Sequence, residues 1–292
     1  MNRRRLTILS LLCTFVASAA VDFGPSIGSR FPGDLGTLLG PKGAVILFYA
    51  AAGSKAQLSE LEQHRKVFQK LGVGVVALTQ FSGQTARPGW FILDAHGVIV
   101  AKYFENDANQ SYTSAAILLH RFGWTSPEPA TQVEGKQLTA TIGTSNSTVA
   151  PGQRVALTLD IDLQPNMHVY APGVEGYIPI DWKMEDSGTA EVHAPVLPPA
   201  EKLYLKAIDE TVPAYRNHFR LTRDITISTE DKLKPAVDGS GHFVVDGSLR
   251  YQACDDRVCY IPQILRLQWT FEYQALDKER VSPELERRQP AH

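Results

Sequence analysis

Length, composition and charge limit the classes of protein to consider. The chain has 292 residues, which is enough for two ordinary domains. Its formal net charge is −2 at pH 7, so the basic surface of a nucleic-acid-binding protein is not expected. It has only three cysteines, one of which, Cys13, falls in a leader-like segment.

Residues 1–19 have the pattern of a cleavable signal peptide. Arg3, Arg4 and Arg5 form a basic start, an apolar run covers 6–16, and small residues at 17–19 provide a cleavage site. No later run is long and apolar enough to cross a bilayer. We therefore expect a mature chain without a membrane span, in the periplasm or secreted, where disulfides persist.

Residues 21–124 predict an α/β unit. Buried strands are expected where apolar residues run continuously, and helices where they recur on one face. The predicted elements are a strand at 44–50, a helix at 53–71, a strand at 73–78, a hairpin of strands at 90–94 and 98–104, and a helix at 111–122. This order is that of a thioredoxin-like fold.

Two stretches of this unit carry a family resemblance. They read PKGAVILFYAAAGSKAQLSELEQHRKVF and, after Arg87-Pro88-Gly89, WFILDAHGVIV. The unit resembles the thioredoxin-like alkyl hydroperoxide reductase/thiol-specific antioxidant family, which implies that Pro88 occupies the position of that family's cis-proline. Ala51 and Ser54 stand where the family has Cys-x-x-Cys. Without a thiolate nucleophile, peroxidase activity is not expected, and we interpret the unit as a redox-inactive docking module.

Residues 125–135 read TSPEPATQVEG and predict a linker, so independent movement of the two domains is the expectation. From 136 to 273, apolar residues alternate with polar ones in short runs separated by turn signals such as Pro151-Gly152 and Asp246-Gly247. This pattern is typical of a β-sandwich. The apolar-poor tail at 274–292 is predicted to be disordered.

The remaining two cysteines, Cys254 and Cys259, lie between two alternating runs in LRYQACDDRVCYIPQILRLQWTF. The polar residues 255–257 predict a turn, so the cysteines flank a hairpin tip where a disulfide could form. A disulfide closing so short a loop would add only roughly 2 kcal/mol of stability. A short, exposed pair is better suited to exchange.

Two other interpretations of the cysteine pair remain. One is a structural disulfide of an exported protein. The other is a zinc site, which lacks a second cysteine pair and could gain at most His242 as a third ligand. No metal or cofactor is expected.

The cysteine segment carries a second family resemblance. Tyr251-Gln252, Cys254, Cys259-Tyr260 and Pro262 match the Tyr-Gln-x-Cys and Cys-Tyr-x-Pro pattern of the N-terminal (alpha) domain of the thiol:disulfide interchange protein DsbD. The spacer between the cysteines is one residue shorter than in the best-known members. The resemblance implies an immunoglobulin-like sandwich whose catalytic cysteines relay electrons to or from periplasmic thioredoxin-like proteins or a membrane electron donor.

The same resemblance implies which side chains line the cysteines. Tyr170 matches one of an aromatic pair that lies against them, and His168 replaces the other, either as a proton carrier or as a solvent-exposed strand end. Tyr204 falls in the segment 201–204, where that family has a cap loop. Tyr260 and Pro262 belong to the motif itself.

Two functions follow from these features. The first is an exported thiol:disulfide exchange protein, a possible protein-disulfide oxidoreductase, that cycles Cys254 and Cys259 between dithiol and disulfide. Which cysteine attacks is not readable from the sequence. The alternative is a non-enzymatic binding or scaffold protein in which the Cys254–Cys259 disulfide is structural.

Overall fold

The structure is a computed structural model. It describes residues 24–33, 35–49, 55–78, 80–81, 84–85, 88–105, 110–127, 130–205 and 209–276. The predicted leader, Ala51, Ser54 and the tail from residue 277 lie outside these ranges.

The N-terminal unit is built on a mixed sheet. Its elements are a 3-10 turn (Gly36–Leu38), β1 (Ala44–Phe48), α1 (Lys55–Lys70), β2 (Gly74–Leu78), β3 (Gln80–Phe81), β4 (Gln84–Thr85), β5 (Gly89–Leu93), β6 (Ile99–Phe104), β7 (Ser111–Tyr112) and α2 (Ser114–Phe122). The sheet order is β2-β1-β5-β6, with β2 parallel and β5 antiparallel to β1. All five residues of β1 are buried, as its continuous apolar run predicts.

Each face of this sheet has its own core. Both helices cover one face, where Leu61 and Phe68 of α1 and Ile117 of α2 pack against the strands. On the other face, Phe31 from the segment before β1 packs edge-on against Phe91. The sheet is therefore buried on both sides, which explains why its strands lack a polar alternation.

The C-terminal unit is a β-sandwich with a small third sheet. Its elements are β8 (Thr131–Glu134), β9 (Leu138–Thr144), β10 (Thr148–Val149), β11 (Gln153–Leu163), β12 (His168–Tyr170), β13 (Asp181–Met184), β14 (Ala190–Val196), β15 (Glu201–Leu205), β16 (Glu210–Arg216), β17 (His218–Ile227), α3 (Glu230–Leu233), a 3-10 turn (Lys234–Ala236), β18 (His242–Tyr251), β19 (Ala253–Cys254) and β20 (Gln263–Tyr273).

Three sheets arrange these strands. One has the order β14-β17-β11-β9-β8, the second β10-β20-β18-β13, and the small sheet β15-β16-β12-β19. The first two enclose the main core, in which Trp182 and Trp269 stack with ring centroids 5.6 Å apart. The inward parity of β20, with Leu267, Trp269 and Phe271 buried, is the one that its sequence predicts.

Two sequence predictions are corrected where the units meet. Residues 131–134 of the predicted linker form β8, which pairs with β9. The helix predicted from residue 111 begins at Ser114, because the Thr113 side chain caps it by accepting a hydrogen bond from the Ala116 amide. Ser111 and Tyr112 instead form β7, which adds in parallel to β11 of the sandwich.

A half-buried ionic cluster joins the two units beside β7. Asp224 of the sandwich accepts hydrogen bonds from the Tyr112 hydroxyl at 3.1 Å and lies 2.7 Å from His120 Nε2. Arg154 contacts Asp224 at 3.2 Å and Glu105 at 2.7 Å. Burial alone would raise the pKa of Asp224, but His120, Arg154 and Tyr112 together hold it below its usual value.

A second cluster centres on Glu60 of α1. Its carboxylate accepts hydrogen bonds from the Ser114 and Ala115 amides at the start of α2 and from Asn146 Nδ2 in the sandwich. Burial would raise the pKa of Glu60, but His64 and Ser114 lower it overall. These contacts and the pairing of β7 with β11 join the two units directly.

Candidate functional site

The two cysteines lie at the tip of the predicted hairpin. β18 and β20 pair antiparallel up to Tyr251 and Gln263, and beyond them β19 leaves this sheet to pair with β12 of the small sheet. A disulfide joins Cys254 to Cys259. The chain between the cysteines forms the turn that the polar residues 255–257 predict.

The tip is held by hydrogen bonds that do not involve the sulfur atoms. The Tyr260 amide donates to the Ala253 carbonyl at 2.9 Å, and the Asp255 amide donates to the Val258 carbonyl at 3.0 Å. The Asp255 carboxylate accepts from the Arg257 and Val258 amides, each at 2.8 Å. These bonds and the Tyr260 hydroxyl keep the pKa of Asp255 below its usual value.

The two sulfur-bearing residues differ in exposure. Cys254 is 1% exposed and belongs to a small apolar cluster with Tyr170 and Val212, whereas Cys259 is exposed. Only the Cys259 side of the disulfide therefore faces an approaching molecule. The apolar side chains of Val258, Ile261 and Ile264 nearby are 53%, 79% and 66% exposed.

β12 brings His168 and Tyr170 to the cysteines. His168 pairs directly with Cys254 across the antiparallel strands, and two residues on, Tyr170 places its hydroxyl 3.7 Å from Cys259 Sγ. The two rings contact each other edge to face, with centroids 5.3 Å apart. The interpretation of His168 as a solvent-exposed strand end is wrong, because His168 is 2% exposed.

Burial sets the protonation of both side chains. It lowers the pKa of His168, and Arg216 on β16 lowers it further, against the opposing effect of Asp256 and Asp255. His168 is therefore neutral at pH 7. Burial also raises the pKa of Tyr170, with Glu210 adding to the effect. The Tyr170 hydroxyl therefore stays protonated and can donate to sulfur.

A comparison with protein families identifies the domain that carries this site. Residues 139–267 match the family described as thiol:disulfide interchange protein DsbD, N-terminal. The sandwich with its disulfide is thus a DsbD-like domain, and its relatives form a thiol:disulfide interchange family. The match spans less than half of the chain.

Comparisons with whole proteins add little. A search of solved structures found the N-terminal periplasmic domain of ScsB from Proteus mirabilis, with 12% sequence identity and a TM-score of 0.34. The alignment covers 48% of this chain and 49% of that one, about half of each. A comparison with curated proteins gave no significant match.

The predicted cap loop of the DsbD-like domain is a strand instead. β15 pairs with β16, and its Leu203 and Leu205 side chains pack against the cluster of Tyr170 and Cys254. Because side chains alternate along a strand, Tyr204 points to the opposite side. It is 56% exposed, and its hydroxyl donates to Asp209 at 2.8 Å.

The two remaining motif residues support the turn. Tyr260 donates its hydroxyl to Asp255 at 3.0 Å, and its carbonyl accepts a hydrogen bond from Gln252 Nε2. Pro262 is half-buried at the start of the return strand, and its carbonyl accepts from Gln263. Their contacts therefore shape the tip of the DsbD-like domain.

Sequence reasoning missed one aromatic residue of the site. The Tyr177 ring lies 4.3 Å from that of Tyr170, and its hydroxyl donates to Glu210 at 2.7 Å. Tyr177 follows a run of turn residues, where no periodicity marks a side chain as facing inward. The hydrogen bond from Tyr177 to Glu210 holds the Tyr177 ring against that of Tyr170.

The N-terminal unit and the disulfide lie at opposite ends of β11. The N-terminal unit joins β11 at its start, at Gln153 and Arg154. Near the other end of β11, Asp162 pairs with His218. Two residues before His218, Arg216 pairs with His168, which lies beside the disulfide. The strand has eleven residues, or roughly 35 Å. The disulfide of the DsbD-like domain is therefore not covered by the N-terminal unit's described residues.

The predicted degenerate site of the N-terminal unit is described only in part. Pro88 is half-buried directly before β5, while the peptide bond from Arg87 to Pro88 lies outside the described residues, as do Ala51 and Ser54. Within the part of the chain that is described, no cluster of His, Cys, Asp and Glu is arranged to hold a metal ion. None of the helices described is long and apolar enough to span a membrane.

Proposed function

We propose that this chain is an exported thiol:disulfide exchange protein in which Cys254 and Cys259 cycle between disulfide and dithiol. The observation that carries the proposal is the hairpin tip, whose turn is held by hydrogen bonds that do not involve the sulfur atoms. A tip that keeps its shape on reduction is suited to repeated cycling. The similarity of residues 139–267 to the DsbD family supports the same chemistry.

We assign the two cysteines different roles because they differ in exposure. A partner's thiolate attacks the exposed Cys259 sulfur, and the bond to Cys254 breaks with Cys254 leaving as a thiolate. The mixed disulfide at Cys259 is then attacked by the partner's second thiol, which becomes part of a new disulfide in the partner. The reverse sequence passes two electrons from this chain to a partner disulfide.

The partner is a protein that presents a reactive cysteine pair on an apolar surface. Val258, Ile261 and Ile264 offer exposed apolar area around Cys259, which suits docking of a folded protein. Periplasmic thioredoxin-like proteins or a membrane electron donor have this chemistry. A periplasmic location agrees with the signal peptide predicted at residues 1–19 and with the DsbD-like domain.

The N-terminal unit serves as a thioredoxin-like scaffold without redox chemistry of its own. The mixed four-stranded sheet, in which β2 is parallel to β1, β5 is antiparallel to β1 and β6 is antiparallel to β5, supports a thioredoxin-like fold. Alanine at position 51 supplies no thiolate. Its distance from the disulfide favours a role in anchoring or in binding a separate partner.

The first test is the reduction potential of the cysteine pair. The mature protein is equilibrated in glutathione buffers, and free thiols are trapped and counted. A potential above roughly −300 mV marks an exchangeable disulfide, as proposed. A much lower value, with thiols that react only on unfolding, would support the alternative of a scaffold with a structural disulfide, which the burial of Cys254 favours.

Matched single-cysteine variants test the assigned roles. Cys254→Ser leaves the exposed thiol, so it is expected to form a stable mixed disulfide with a partner that carries an accessible disulfide. Cys259→Ser leaves only the buried thiol and serves as the control. Trapping by Cys259→Ser in preference to Cys254→Ser would reverse the assignment.

A further inference from the structure

His168 carries a buried polar atom that the fold leaves without a partner. Its Nε2 atom is inaccessible to solvent and makes no hydrogen bond in the described part of the chain. A buried nitrogen of this kind destabilises the folded protein if nothing binds it. An unsatisfied buried atom of this kind calls for an explanation, and one explanation is a partner that exists in only one redox state of the protein.

The strand pairing points to the Cys254 thiol as that partner. His168 and Cys254 are directly opposite each other in antiparallel strands, so their side chains lie on the same face with Cβ atoms roughly 5 Å apart. In the disulfide, Cys254 has no proton to donate. Reduction gives it one, next to an acceptor that is buried with it.

The surroundings keep His168 able to accept this proton at neutral pH. Tyr170 packs edge-on against the ring from the same strand. The charged groups that face His168 are Arg216 from β16 and Asp255 and Asp256 from the turn after β19. Burial and Arg216 outweigh the two carboxylates, so the pKa of His168 lies below its usual 6.5 and the neutral form dominates at pH 7.

We propose that His168 is the base that takes the Cys254 proton when Cys254 resolves a mixed disulfide at Cys259. The proton moves from Cys254 Sγ to Nε2, and the thiolate electron pair forms the bond to Cys259 Sγ. The bond from Cys259 to the departing thiol breaks, and that thiol leaves as a thiolate with the electron pair. This step deepens the proposed exchange function and rests on it for its biological meaning.

A small aromatic disulfide tests the step without a partner protein. Reduced protein reacts with dithiodipyridine in two phases, each releasing one coloured thiopyridone. The first phase reports attack by the exposed Cys259, and the second reports resolution by Cys254. The Cys254→Ser variant shows the first phase alone and so identifies it.

His168→Gln is expected to slow the second phase at pH 7 by roughly 100-fold, the lower end of what general base catalysis contributes. The first phase keeps its rate. In the unaltered protein the rate of the second phase is constant at pH values above the pKa of His168. The rate falls as the pH drops below that pKa, because protonated imidazole cannot accept a proton. In His168→Gln the rate of the second phase keeps rising with pH until the pH reaches an ordinary thiol pKa of about 8.5.

A matched control is His193→Gln. His193 on β14 is a half-buried histidine whose pKa, like that of His168, lies below its usual value. Its Nε2, however, has a partner, the Thr226 hydroxyl on β17 at 2.8 Å. Neither phase is expected to change in this variant. An unchanged second phase and pH profile in His168→Gln would overturn the proposal.

The unaltered protein provides a test that does not depend on folding of the variant. If the rate of the second phase rises only above pH 8, where an ordinary thiol loses its proton, the role of His168 is also overturned. These kinetics are separate from the reduction potential. A reduction potential too low for exchange in glutathione buffers would defeat the exchange function while leaving the dithiodipyridine result as evidence on His168.

Discussion

The Tyr170 hydroxyl lies 3.7 Å from Sγ of Cys259, the exposed cysteine of the disulfide. Because a disulfide sulfur carries no proton, the hydroxyl is the donor in this contact. In the reduced protein the same hydroxyl can donate to the Cys259 thiolate. A hydrogen bond to the charged form favours it.

Removing this hydroxyl is expected to make Cys259 less reactive. In a Cys254→Ser background, Tyr170→Phe should slow alkylation of Cys259 at pH 7 by roughly threefold to tenfold, as expected for one lost charge-assisted hydrogen bond. The matched control is Tyr177→Phe, because the Tyr177 hydroxyl donates to Glu210 and not to sulfur. Equal slowing in both variants would point to loosened packing and not to the bond with sulfur.

The hairpin tip is expected to keep its backbone hydrogen bonds when the disulfide is reduced. Hydrogen exchange should show the Tyr260 amide protected in both redox states, because its acceptor is the Ala253 carbonyl. Asp255→Ala removes the acceptor of two turn amides and should lose that protection only in the reduced protein. Asp256→Ala, at an exposed neighbour, is the control. Loss of protection on reduction without any substitution would show that the disulfide holds the tip.

The ionic cluster at the junction should contribute to the stability of both units. Asp224→Asn leaves Arg154 and His120 short of their shared carboxylate and is expected to cost about 3 kcal/mol in denaturant unfolding. It should also separate the unfolding of the two units into distinct transitions. Asp162→Asn removes a carboxylate that is 60% exposed, and should change stability by less than about 0.5 kcal/mol. A single transition with unchanged stability in Asp224→Asn would show that the ionic cluster is not what couples the two units.

The lowered pKa of Glu60 leads us to expect a loss of stability in acid. Its folded pKa lies below its ordinary value of 4.5, so its contribution is present above pH 4.5 and is lost as pH falls through the folded pKa. Glu60→Gln should lower Tm at pH 7 and flatten the decline of Tm below pH 4.5. Glu62→Gln, in the same helix but exposed, should have a much smaller effect. An acid limb as steep as in the unaltered protein would exclude Glu60 as its source.

Several predicted strands were correct because their cause is local. The short apolar run AVILF, preceded by a glycine, indicates a buried strand, and alternation in LRLQWTF beside the cysteines indicates a half-buried one. The turn at 255–257 is likewise set by nearby polar residues. By contrast, β7 was mistaken for the first turn of a helix, since its partner, β11, is distant in sequence and supplies the strand pairing.

The sequence by itself determined that two cysteines flank a hairpin tip and that a DsbD-like motif surrounds them. Only the tertiary structure decided that Cys254 is buried opposite His168, that Cys259 is exposed beside Tyr170, and that the two units are joined. These features depend on the register between distant strands and on which charged groups they bury together. Local periodicity predicts neither the strand register nor the charged neighbours, because it shows which face of a strand is buried and not what lies against that face.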